Sequence, residues 1–124
     1  MPKKILVVDD EPHFLLLVKS RLEGNGYQTV EATDGVEALR KAKEEKPDLI
    51  LLDLMLPKMD GYKVCGFLKK DSRYAKIPIV LFSARAQAAD IKMGEEVGAD
   101  GYLTKPFEPD SLLEKIRKLL APAA

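Results

Sequence analysis

The sequence has one cysteine, Cys65, one histidine, His13, and no surplus of either charge. A single cysteine excludes an intramolecular disulfide and any zinc site built on cysteines. A single histidine argues against a histidine-rich metal centre and against a Ser-His-Asp triad. Lysine plus arginine and aspartate plus glutamate both number 20, so the formal net charge is zero. A domain that binds nucleic acid through its general surface carries a basic excess, so direct nucleic-acid binding is not expected. Long hydrophobic runs are also missing. Met1-Pro2-Lys3-Lys4 leads into only four apolar residues before Asp9, too few for a signal peptide, and nothing approaches a membrane span. A reducing cytoplasm is the expected location.

What is present suits one domain. The chain has 124 residues, 46% apolar and 32% charged, long enough to bury a substantial core. It shows no internal repeat. The domain is expected over residues 1–121, with 122–124 as a tail or linker stub.

Short apolar runs alternate with longer amphipathic stretches. The runs are Ile5-Leu6-Val7-Val8, Leu49-Ile50-Leu51-Leu52 and Ile79-Val80-Leu81-Phe82. Continuous apolarity predicts strands covered on both faces, as in a parallel sheet. The weaker segments Gln28 to Ala32 and Gly101 to Thr104 read as edge strands. A first helix is predicted from Pro12 to the Gly24-Asn25-Gly26 cluster, since Pro suits the first turn and Gly the end. A second starts at Asp34, with Glu37 three residues on as in a capping box, and fades before Pro47. The third runs from about Asp60 to Lys70. The fourth, about Ala86 to Val97, is poor in apolar residues and contains Gly94, so it should be the least stable. The fifth, Pro109 to Leu120, should bury Leu112, Leu113, Ile116, Leu119 and Leu120. The result is (βα)5. Right-handed crossovers make it an α/β, doubly wound five-stranded parallel sheet in the flavodoxin-like order 2-1-3-4-5, with helices on both faces.

In such sheets the site lies at the carboxyl ends of the strands. Asp9 and Asp10 end the first run, Asp53 the third and Ser83 the fourth, while Lys105 follows the fifth strand. Taken singly, such residues are turn formers, helix caps or solvated lysines. Their joint placement on one rim is what points to a site. Three neighbouring carboxylates repel one another, and a hard divalent cation relieves this. Mg2+ suits the case because it takes few protein carboxylates and keeps waters and phosphate oxygens. Lys105 can reach a carboxylate or a phosphoryl oxygen, and Ser83 offers a hydroxyl donor. This is equipment for forming an aspartyl phosphate.

Four segments then carry a family resemblance: Ile5 to Pro12, Leu51 to Pro57 with Met59-Asp60-Gly61, Leu81-Phe82-Ser83-Ala84, and Gly98 to Phe107. Over essentially its whole length the chain resembles the receiver domains of two-component response regulators. The resemblance implies that Asp53 takes a phosphoryl group from a histidine kinase, a histidine phosphotransferase or a small phosphodonor. It implies Asp10 as a direct magnesium ligand, Asp9 as a ligand directly or through water, and the backbone carbonyl of Met55 as a further ligand. It casts Ser83 as the hydroxyl that swings toward the phosphoryl group, Tyr102 as the aromatic that follows, and Lys105 as the phosphate-contacting lysine. A cis bond before Pro106 is implied as well. The output surface would be the fourth helix, fifth strand and fifth helix, acting on an output domain or partner protein. Such a domain is a switch rather than a turnover enzyme, although it assists its own phosphorylation and dephosphorylation.

Some residues stand apart from the pattern. Gly101 sits where winged-helix regulators of the family often carry a second Asp used in dimer contacts. Phe14, Leu17, Val18 and Leu22 supply a core stripe, leaving Leu15 and Leu16 partly exposed as ordinary surface leucines or as a docking patch for a kinase. Phe67 reads as core, Cys65 as a small buried hydrophobe, and His13 as a solvated residue near the rim. Met55 and Arg85, each two positions after a site residue, are implied to tune dephosphorylation. A phosphatase of the haloacid dehalogenase type would need a second Asp at position 55. A nucleotide-binding module would need a Gly-rich loop after the first strand, and none follows it. A degenerate receiver would lack one of the five site residues.

Overall fold

The apolar runs become the interior of a sheet. They form β1 (Lys4–Val8), β3 (Leu49–Asp53) and β4 (Ile79–Ser83), flanked by β2 (Gln28–Ala32) and β5 (Gly101–Thr104). The computed structural model describes residues 2–84 and 87–121. The expectations at Arg85, for a helix start at Ala86 and for the 122–124 tail lie outside the described residues. Every strand pairing is parallel and the order is β2-β1-β3-β4-β5, as the sequence predicts.

The unbroken apolar runs resolve into two faces because side chains alternate along a strand. Leu6, Val8, Ile50, Leu52, Ile79 and Leu81 point to one side, where α2 (Gly35–Glu45) and α3 (Gly61–Lys70) add Ala38, Ala42, Val64, Cys65 and Leu68. Ile5, Val7, Leu49, Leu51, Val80 and Phe82 point to the other. There α1 (Pro12–Glu23) and α5 (Pro109–Leu120) add Leu15, Val18, Leu22, Leu112, Leu113 and Ile116. Helix α4 (Ala88–Glu96) lies on the first of these sides, its Gly94 against Leu81 and Tyr102. Leu119 and Leu120 are half-buried at the edge of the second core rather than inside it.

Local signals set the helix ends. Pro12 opens α1 in its first turn. The Asp34 side chain accepts from the Glu37 amide at 2.8 Å. The returning arm of the capping box reaches the Thr33 amide, one residue before the cap, at 3.2 Å. Asp60 caps α3 by accepting from the Lys63 amide at 3.0 Å.

Two further expectations are corrected. On α1, Leu15 is buried, whereas Leu16 and Leu17 are 65% and 68% exposed. Leu15, Val18 and Leu22 follow i, i+3, i+7 spacing, and Leu17 falls over 100° away on the helical wheel. The exposed pair is therefore Leu16 and Leu17, not Leu15 and Leu16. Phe67 is also outside the core, 56% exposed, because α3 buries Gly61, Val64, Cys65 and Leu68 and position 67 lies on its flank. Cys65 and His13 are buried and exposed respectively, as expected. Burial pushes the Cys65 thiol up to about 11, which suits an inert packing residue rather than a nucleophile.

Candidate phosphoacceptor site

The carboxyl ends of β1, β3 and β4 deliver Asp9, Asp53 and Ser83 to one rim, all three buried. Asp9 follows β1 directly, and its amide extends the ladder to Ala32 O at 3.1 Å. Its Oδ1 accepts from the Glu11 amide at 2.8 Å, which fixes the turn into α1. Asp10 is exposed beside it. Asp9, Asp10 and Asp53 each offer a carboxylate oxygen within 4.8 Å of the others. Asp53 is the last residue of β3, and its Oδ1 accepts from the Met55 amide at 3.1 Å.

The turn after Asp53 is held closed. The Gly61 amide donates to Leu54 O at 3.1 Å. A Cβ at Gly61 would collide with the Asp53 carbonyl oxygen and press on Leu54 Cα. Only glycine lets α3 start this close to the end of β3.

Lys105 is brought in from the far side. Its amide donates to Ser83 O at 2.8 Å, which pins it to the end of β4. The bond to Pro106 is cis, as the resemblance implies. The ammonium bonds Asp9 Oδ2 at 2.9 Å and stands 3.6 Å from Asp53 Oδ2. It also lies 4.1 Å from the centroid of the Phe14 ring and 5.0 Å from that of Phe82. Phe107 closes this platform, its centroid 5.9 Å from Phe14 and 6.3 Å from Phe82. The rings hold the cation by attraction to their faces while keeping water from its underside. In the sequence Phe14 belongs to the core stripe of α1 and Phe107 to a motif, and nothing there marks them as a seat for Lys105. No spacing rule links residues so far apart in the chain.

Burial is the main cause that pushes the Asp53 carboxyl up to about 6. The Met55 amide and the Lys105 charge oppose the rise, while Asp9 and Asp10 add to it. A carboxyl that resists ionisation in this way beside two others favours a cation that neutralises its charge. The donors are all oxygen and one carboxylate is open to solvent, which fits a hard divalent ion that retains water. Tyr102, in β5, is half-buried. Its phenol is held above its usual range by burial first and by nearby Tyr62 and Asp90; a side-chain hydrogen bond with Ser83 opposes the rise and one with Tyr62 adds to it. The structure thus brings Asp9, Asp10, Asp53 and Lys105 together, with Ser83 and Tyr102 alongside. Met55 is 57% exposed at the mouth of the site.

Known proteins share the sequence pattern and the fold of this chain. The family described as "Response regulator receiver domain" matches residues 5–117. The alkaline phosphatase synthesis transcriptional regulatory protein PhoP of Bacillus subtilis is 47% identical over 97% of this chain and 49% of its own length. The DNA-binding response regulator MtrA of Mycolicibacterium smegmatis is 43% identical over 97% of this chain and 51% of its own. The chain spans about half the length of these relatives. Among solved structures, the chemotaxis response regulator CheY4 of Vibrio cholerae aligns with a TM-score of 0.91 and 33% identity, over 97% of this chain and all of its own. The receiver domain of the sensor histidine kinase PA1611 from Pseudomonas aeruginosa, described with magnesium coordinated in its active-site cleft, aligns with a TM-score of 0.90 and 28% identity, over 98% of this chain and 100% of its own.

Proposed function

Because the chain belongs to the family of response regulator receiver domains, which are phosphorylation-dependent signalling switches, we propose that Asp53 is its phosphoacceptor and that residues 1–121 form the working unit. The observation that carries this is the convergence of Asp9, Asp10 and Lys105 on the buried carboxylate of Asp53. The donor would be a phosphohistidine on a kinase or phosphotransferase, or a small acyl phosphate. An Asp53 oxygen bonds to phosphorus as the bond from phosphorus to the donor's nitrogen or oxygen breaks, and the donor departs with that electron pair. Asp9, Asp10 and Asp53, with the Met55 carbonyl, would hold Mg2+. When bound, the ion offsets the charge of the carboxylates and of the incoming phosphoryl oxygens.

The new group adds about −1.5 to −2 charge and three strong acceptors. Lys105, now bonded to Asp9, gains a better partner, and the Ser83 hydroxyl gains an acceptor. The movement of Ser83 frees space for Tyr102, and the surface of α4, β5 and α5 changes for an output domain or partner protein. The zero net charge supports an output through protein contact rather than direct nucleic-acid binding by this domain. Among the described residues no helix is long and apolar enough to cross a membrane. A cytoplasmic location accompanies the kinase partnership. The domain is not an enzyme in the turnover sense; its residues assist the gain and loss of their own phosphoryl group.

Labelling with radioactive acetyl phosphate tests the assignment. Wild type should take up about one phosphate per chain with Mg2+ and almost none in EDTA, and Asp53→Asn almost none in either. A wild type that stays unlabelled is a receiver that acts by binding alone. Equal labelling of the variant moves the acceptor elsewhere.

Kinase docking has its own expectation. Leu16 and Leu17 are exposed on α1, the helix whose Phe14 seats Lys105. Changing both to Ser should slow phosphotransfer from the cognate histidine donor about tenfold by removing an apolar contact worth roughly 1.4 kcal/mol. Labelling by acetyl phosphate should stay unchanged. Stopped-flow transfer assays would show it, and equal slowing with both donors would remove the docking role.

A further inference from the structure

Helix α4 has the thinnest hold on the molecule. Gly94 is its one buried residue, and a Cβ there would sit 3.2 Å from Leu81 Cδ1 and 3.4 Å from the Tyr102 ring. Its N-cap residue, Gln87, makes no side-chain capping bond among the described residues. A short helix with no cap and a narrow apolar face has little local reason to stay docked.

A polar anchor comes from another helix. Tyr62, the second residue of α3, donates its hydroxyl proton to the Asp90 carbonyl, in the first turn of α4, at 2.9 Å. A helical carbonyl has two lone pairs and can take this bond while keeping its own helical donor. The Tyr62 ring packs on the apolar cluster shared with Tyr102. The Tyr102 phenol is hydrogen-bonded to the side chains of both Ser83 and Tyr62. One line of polar groups therefore runs from Ser83, beside the acceptor, through Tyr102 and Tyr62, to the start of α4.

We propose that Tyr62 is a positioning residue of the switch: its hydroxyl holds the first turn of α4 while Tyr102 stands as it does here, and releases it when Ser83 and Tyr102 are drawn toward a phosphoryl group. This rests on the switch reading above. It adds a residue from α3, outside the output surface of α4, β5 and α5, to the parts that set that surface. The competing explanation is that a buried phenol merely needs an acceptor. A static bond of that kind would stabilise α4 equally in both states of the switch.

Hydrogen exchange of the α4 amides separates the two, measured on the full chain with and without Mg2+ and beryllofluoride as a stable phosphoryl mimic. Tyr62→Phe keeps the ring and removes the hydroxyl. In unloaded protein the variant should exchange about 3- to 10-fold faster in α4, the size of one lost hydrogen bond. The mimic should speed exchange in wild type by a similar factor and in the variant by less than about 1.5-fold. Adding Tyr102→Phe to Tyr62→Phe should add little, because both cut the same line. Labelling of Asp53 by acetyl phosphate should remain within about twofold of wild type. Equal increments with and without the mimic, or unchanged exchange in the variant, overturn the proposal. If α4 in the wild type itself ignores the mimic, the switch reading fails and this proposal fails with it. If the wild type responds and the variant responds identically, only the role of Tyr62 falls.

Discussion

Lys105→Met should slow the labelling of Asp53 by an acyl phosphate about 100-fold or more at saturating Mg2+. Methionine keeps a flexible apolar stem over the Phe14 and Phe82 rings but removes the charge that lies 2.9 Å from Asp9 and 3.6 Å from Asp53. Loss of one preorganised donor to a developing oxyanion costs roughly 2.7–4 kcal/mol, or 100- to 1,000-fold. The same change leaves Asp9, fully buried, without its cation. In EDTA the variant should therefore lose about 3 kcal/mol of folding stability, the scale seen when one partner of a buried pair is deleted. Mg2+ should restore most of that stability but little of the rate. Rapid-quench labelling and urea melts with and without Mg2+ give both numbers. A rate within threefold of wild type would reduce Lys105 to an ion-pair partner with no part in the chemistry.

The second large effect is on pH. The Asp53 carboxyl is pushed up to about 6, first by burial, from its ordinary value of 3.8. In metal-free protein the folded state therefore keeps a proton between those values that the unfolded chain has already released. Stability from this group is fully present below about pH 4 and is lost as pH rises through about 6. Asp53→Asn has no proton to lose, so in EDTA its stability relative to wild type should climb across that window and level off above it. Mg2+ competes with the same proton, so its apparent affinity should fall as the site becomes protonated, by about tenfold at pH 5 relative to pH 8. Titration calorimetry at several pH values would measure it. An affinity flat from pH 5 to pH 8 would mean that Asp53 is already ionised when the cation arrives.

The fold and most of the site were legible in the sequence for one physical reason. Parallel strands buried on both faces are continuous apolar runs, and the polar residues that end such runs share one rim. Asp9, Asp53 and Ser83 could be placed from that alone. What could not be placed was the rotational phase of α1. Phe14-Leu15-Leu16-Leu17-Val18 is apolar throughout, so helical spacing allows several stripes, and docking against β1 and α5 selects Leu15 over Leu17. Phe67 misled because residue type suggested burial while its position on α3 does not provide it. Tyr62 left no local signal at all. Its bond to Asp90 depends on where α4 comes to rest, which is a tertiary fact.

The aromatic seat beneath Lys105 has a consequence for protein engineering. Phe14, Phe82 and Phe107 come from three distant stretches of chain, yet they set the height and tilt of one ammonium group. A volume change in that greasy layer would be felt as altered phosphate chemistry a few ångströms above it. Chimaeras spliced from two such domains should therefore inherit all three rings from the same parent, as a single cassette.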